Sequence, residues 1–166
     1  MRKNILAILA PLLGITLLAS CESIDCTVDN VVTLGIGFYD AESGSAKTIS
    51  DTLTVTANGT DSILYNQGSK VSSIKLPLSY WQEADTLNLT FYDAENDASH
   101  VVTLSVKKTN TPHHESPDCP TTMFHEIKEI AFTSATQYVD SITLTDPKVN
   151  YASQENIKIY LHPTTD

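Results

Sequence analysis

No apolar run in this sequence is long enough to cross a bilayer. The longest, Ile5 to Leu18, contains Pro11 and Gly14, whereas a spanning helix needs roughly 20 apolar residues. Bases are scarce too, with 10 Lys and Arg against 20 Asp and Glu. An acidic chain repels phosphate backbones, which argues against nucleic acid as a partner. The Gly-x-Ser-x-Gly elbow of serine hydrolases is missing, and no two acids stand in an arrangement that suggests acid–base catalysis. The sequence therefore points away from an enzyme. There is one tryptophan, and there are three cysteines.

What is present at the start is an address. Arg2 and Lys3 precede the apolar segment, and Leu18-Ala19-Ser20-Cys21 closes it. A cationic start, a short apolar stretch and small residues before a cysteine form a lipobox. The pattern predicts a cleaved signal peptide at residues 1–20, lipidation of Cys21, a lipidated tether at 21–30 and a folded domain at 31–166. One acyl chain binds membrane weakly, so stable anchoring needs more than one. Glu22, in place of Asp after the cysteine, favours the outer membrane. The part after the leader keeps eight bases against all 20 acids, which suits a soluble acidic surface. Its length suits one domain with a real core.

With Cys21 lipidated, Cys26 and Cys119 remain. Outside the inner membrane two cysteines usually pair, so a Cys26–Cys119 disulfide is expected, with two free thiols as the alternative. In the chain-entropy model such a long loop is worth about 4 kcal/mol.

Alternating apolar and small polar residues predict strands at 31–39, 49–57, 62–66, 73–78, 86–92, 100–107, 138–144 and 157–161. Asn58-Gly59 between two such runs predicts a hairpin with a type I′ turn. Pro77 marks a strand end or sheet edge. Residues 109–118 are polar, hold two prolines and read as a loop. Met123 to Phe132 fits helical spacing through Met123, Ile127, Ile130 and Ala131, but its all-β surroundings favour a strand. About eight or nine short strands argue for an all-β fold, a single β-sandwich of Ig-like or similar type. Phe38-Tyr39-Asp40-Ala41-Glu42 recurs as Phe91-Tyr92-Asp93-Ala94-Glu95. Two copies are too few for a solenoid, and shared turn chemistry is the simpler reading.

A cysteine soon after the lipobox, a strand ending in Phe-Tyr-Asp, Asp-Thr-Leu strand starts, a second cysteine past the middle, Asp-Ser-Ile, a late Asp-Pro turn and a final Asn-Ile-Lys-Ile-Tyr strand form a familiar set. Over roughly Cys26 to His162 the chain resembles a family of uncharacterised Bacteroidetes lipoproteins, known only as a domain of unknown function. The resemblance implies no established activity. In such lipoproteins a dense acidic cluster after the cysteine directs surface display. Only Glu22 and Asp25 are present here, so the periplasmic face of the outer membrane is expected. It also implies O-glycosylation at Asp-Ser/Thr-apolar triplets, of which the chain has four. Their hydroxyls are Thr52, Ser62, Thr86 and Ser141.

His113 and His114, with Glu115, Asp118 and His125, are the best metal-like group, but their spacing fits no known framework and a solvated loop is preferred. His125-Glu126 begins like a zinc-protease helix, yet Glu129 stands where the second histidine belongs. Asp93, Glu95 and Asp97 open like a calcium loop, but Ala98 and Leu104 replace the required Gly and Glu. Tyr80-Trp81 could stack on a sugar ring or simply pack. No cofactor is implied. The expected role is a non-enzymatic accessory module, held to the membrane by lipid and working through another outer-membrane protein. A surface glycan- or calcium-binding module is the alternative.

Overall fold

The computed structural model describes residues 26, 31–60, 62–117, 119–134 and 137–162. The segments expected as signal peptide (1–20) and tether (21–30), Cys21 included, lie outside the described residues except for Cys26, as do Asp61 and Asp118. The described chain is all β. It forms β1 (Leu34–Asp40), β2 (Thr52–Ala57), β3 (Ile63–Gly68), β4 (Ser73–Leu76), β5 (Ala84–Asp93), β6 (Ala98–His113), β7 (Thr122–Ser134), β8 (Val139–Leu144), β9 (Lys148–Val149) and β10 (Glu155–Leu161).

Two sheets pack face to face as a sandwich. One has the order β4-β1-β10-β8, the other β3-β2-β5-β6-β7-β9. Alternation creates the inner faces. Leu53 and Val55 on β2, Leu87, Leu89 and Phe91 on β5, and Val102, Leu104 and Val106 on β6 are buried. The intervening threonines and serines face outward, as the two-residue period of a strand requires. From the other sheet come Leu34, Ile36, Phe38, Ile157, Ile159 and Leu161, also buried. The two copies of the repeated pentapeptide meet here. Phe38 and Phe91 lie edge to face across the sandwich, with centroids 6.0 Å apart. Their aspartates cap the following turns: the Ser43 N–H donates to Asp40 and the Glu95 N–H to Asp93.

β1 runs parallel to β10. This pairing explains two unusual residues. Asn156 sits buried at a register shift, where its Oδ1 accepts the Gly35 N–H at 3.0 Å. Its Nδ2 donates to the carbonyls of Asp146 and Lys148. A Cβ on Gly35 would run into the Gln154 carbonyl, so only glycine lets the chains approach this closely.

Three expectations need correction. Among the described residues there are ten strands, not eight or nine; the additional one, β9, has two residues and carries too little pattern to be seen. Residues 109–113 are not loop but the end of β6, paired with β7 through His113. Pro112 is tolerated beyond the reach of β5, where β6 has one described neighbour. The Asn58-Gly59 hairpin exists, but its turn is not type I′. Only Gly59 has positive φ, at 75°, and the connection is widened by Thr60, whose N–H and hydroxyl both donate to the Ala57 carbonyl. Two others hold: β4 stops at Leu76, just short of Pro77, and Met123 to Phe132 is strand, within β7.

Candidate functional site

The inward rows of the strands end in polar residues at the end of the sandwich where β1 begins. On β6, Lys108 follows Val102, Leu104 and Val106 in phase. On β5, Asp85 precedes Leu87, and on β7 His125 lies between Met123 and Ile127. All three are buried. Lys108 Nζ is 3.2 Å from Asp85 Oδ2. It also donates to the carbonyls of Ser79 and Gln82, at 2.7 and 2.6 Å, and to Asn110 Oδ1 at 2.9 Å. Asn110 Nδ2 donates to Gln82 O, and the Ser79 N–H reaches Asp85. The loop between β4 and β5 is thus fastened from beneath by a buried ammonium group. Since Asn110 Oδ1 already accepts from Lys108, the proton of His125 lies on Nδ1, which donates to the same oxygen at 2.8 Å. Burial first, and then the Lys108 charge, hold the His125 pKa down to about 4.

On this fastened loop Trp81 is almost fully exposed and Tyr80 half exposed, with the Tyr80 ring 6.4 Å from that of His125. Beside it opens a cleft of about 440 Å³ with Leu64, Leu78 and Leu87 among its apolar lining and Asn58, Thr60, Ser62 and Gln82 at its polar side. That volume falls within the range of small-molecule sites. The Cys26–Cys119 disulfide, expected from the sequence, stands at the same end, with Cα atoms 5.6 Å apart. Among the described residues every buried side-chain polar atom has a partner.

The opposite end has its own polar cap. Asp51, in phase with Leu53 and buried, accepts the Tyr138 hydroxyl at 2.7 Å. Burial and that carboxylate push the Tyr138 phenol far above its usual range. Tyr138 stacks on His100, with centroids 4.6 Å apart.

A third feature is an open strand edge. β9 covers β7 only at His125 and Glu126. From Lys128 to Thr133, β7 has no described strand on its far side. Ile130 and Phe132 on β7, and Ile142 and Leu144 on the nearby β8, are partly buried along this seam.

The sequence candidates are scattered. The His113 ring stacks on Phe124 at 4.2 Å, while His114 Nδ1 meets Thr121 Oγ1 at 3.1 Å. Among the described residues no three His, Cys, Asp or Glu side chains are gathered as a metal requires. The Asp93 carboxylate is occupied by its own turn, and the Asn96 amide foremost, then the Glu95 N–H, lower its pKa. In the Asp-Ser/Thr-apolar triplets, Asp51 and Asp85 are buried, and Asp61 lies outside the described residues. Thr52 and Thr86 are partly buried within strands, Ser62 is exposed beside the β2–β3 turn, and Ser141 Oγ donates to Asp140.

The model of a family of unknown function, DUF6452, matches residues 52–161. The chain belongs to this family. The DUF6452 match takes in β2 through β10, the fastened loop, Lys108 and Cys119, and it begins after Cys26 and β1. No curated protein and no solved structure matches the chain.

Sequence reasoning had missed the Lys108–Asp85 pair and the role of His125 in its company. The signal was available: three polar residues stand where alternation calls for apolar ones.

Proposed function

We propose that this DUF6452 protein is an outer-membrane lipoprotein of the Bacteroidetes type that acts without catalysis. It is anchored through Cys21 on the periplasmic face and serves as an accessory to another outer-membrane protein. The observation that supports this reading best is the open edge of β7 from Lys128 to Thr133, bordered by the partly buried Ile130, Phe132, Ile142 and Leu144. A partner strand laid along this edge would gain main-chain hydrogen bonds and cover the apolar seam. The exposed Lys128 and Glu129 guard the same edge against unspecific pairing.

The test has two arms. Cys21→Ala should leave an unprocessed precursor that takes up no labelled palmitate. A photoreactive residue at Ala131 should form one discrete adduct with an integral outer-membrane protein in whole cells, whereas one at Asn96, in the distal turn, should form none. Proteases added outside intact cells should leave the protein whole. Equal, diffuse adducts from both positions would refute the edge reading.

The exposed Trp81 beside a cleft with a hydroxyl and amide side favours a second reading, a glycan-binding module, in which the ring stacks on a sugar. Titration of the soluble domain with oligosaccharides, read by Trp81 emission, separates it from the first.

A further inference from the structure

We infer that the end of the sandwich carrying Trp81 rests in the headgroup layer of the bilayer to which the protein is anchored. The inference depends on the lipidation of Cys21 proposed above. Among the described residues six large apolar side chains are exposed, and four of them gather at this end. They are Val31 at 61%, just ahead of β1; Ile63 at 57%, at the start of β3; and Tyr80 at 47% and Trp81 at 84% on the β4–β5 loop. The registers place these positions together. Leu34 pairs with Leu76, so the chain leaves β4 towards Tyr80 at the end where β1 enters. Ala57 pairs with Leu87, so the turn leading to Ile63 is there too.

The disulfide sets the distance. Without it, 13 links would separate Cys21 from Leu34, a reach of about 45 Å. Cys26 is bonded to Cys119 on the β6–β7 connection, so only five links separate the lipid-bearing residue from the body of the domain, a reach of about 18 Å. The end held this close displays a tryptophan and a tyrosine, the residues that favour the boundary between apolar and wet surroundings. The loop bearing them is pinned by Lys108, so no ordering of the backbone is needed on contact. Glu83 and Glu115 are exposed at this end, which fits neutral headgroups better than anionic ones.

Trp81 is the single tryptophan and reports its own surroundings. Lipidated protein taken from host membranes would be placed in phosphatidylcholine vesicles, with and without bromine on the upper acyl chain. The expected result is co-flotation and roughly a twofold loss of Trp81 emission in the brominated vesicles, little changed by salt. A flexible insert of about ten residues between Glu22 and Asp25, which leaves fold and disulfide alone, should restore most of the emission while the protein still floats. Flotation with undiminished emission overturns the inference and leaves the anchor standing. Failure to float overturns both. Quenching that survives the insert overturns the part assigned to the short tether. An emission shift caused by a soluble oligosaccharide without vesicles overturns the inference in favour of the glycan reading.

Discussion

Lys108 and Asp85 form an ion pair across neighbouring strands, with Nζ and Oδ2 3.2 Å apart and the lysine side chain wholly removed from solvent. The pair occupies the last inward positions of β6 and β5, and everything above it depends on the three protons of one ammonium group.

Removing the lysine takes the counter-charge from the Asp85 carboxylate and a donor from each of the Ser79 and Gln82 carbonyls, although the Ser79 N–H and the Asn110 amide still reach Asp85 and Gln82. Lys108→Ala should cost about 3–5 kcal/mol, the usual effect of orphaning a buried charge. Urea denaturation followed by circular dichroism measures it. The anisotropy of Trp81 should fall as the loop loosens. Replacing the pair together, Lys108→Met with Asp85→Leu, should cost much less than the single change, because no charge is then left unpaired.

His125 makes stability depend on pH. Its folded-state pKa is about 4, against about 6.5 in an unfolded chain. The unfolded chain therefore takes up the proton first as pH falls. The contribution is complete above pH 6.5 and is lost between about 6.5 and 4, to a total of roughly 3 kcal/mol. In His125→Gln the stability curve should be flatter across this window. An identical slope in both proteins would show that other groups carry it.

The Cys26–Cys119 bond closes a loop with a sequence separation of 93. Opening it with reductant should cost about 4.6 kcal/mol by the loop-entropy estimate. The urea midpoint with and without reductant tests this. Thiol labelling of denatured, unreduced protein should find neither of the two cysteines.

Sugar, where the host attaches it, should sit on Ser62. That hydroxyl is exposed next to a turn, while Thr52 and Thr86 lie within β2 and β5 beside buried aspartates. Ser62→Ala should abolish any excess in the intact mass of protein from the native host, and Thr52→Ser should not change it.

The reading of the strands from sequence worked where one face was apolar and the other hydroxylated. Thr52-Leu53-Thr54-Val55-Thr56 could hardly be anything but a half-buried strand. It failed where tertiary pairing overrides composition. His113 and Pro112 look like loop residues and become strand because β7 lies alongside them. The cluster around Lys108 was harder still. Lys108, Asp85 and His125 are far apart in the sequence; each is one polar residue in an apolar row, and only the register of β5, β6 and β7 brings them to one place. Asp51 and Asp85 have a structural place that the triplet pattern does not reveal: each is buried at the end of an inward apolar row.

The parallel pairing of β1 with β10 has a kinetic consequence. Gly35 is matched with Glu155, and Tyr39 with Tyr160, so the first strand is completed by the last. A chain that emerges amino end first must hold β1 beside β4 alone until β10 arrives. Contacts of such high sequence separation slow folding and prolong the exposure of unpaired strands. This protein should therefore reach its native state late and in one closing step, and a truncation ahead of Glu155 should leave a first strand with no neighbour on one flank.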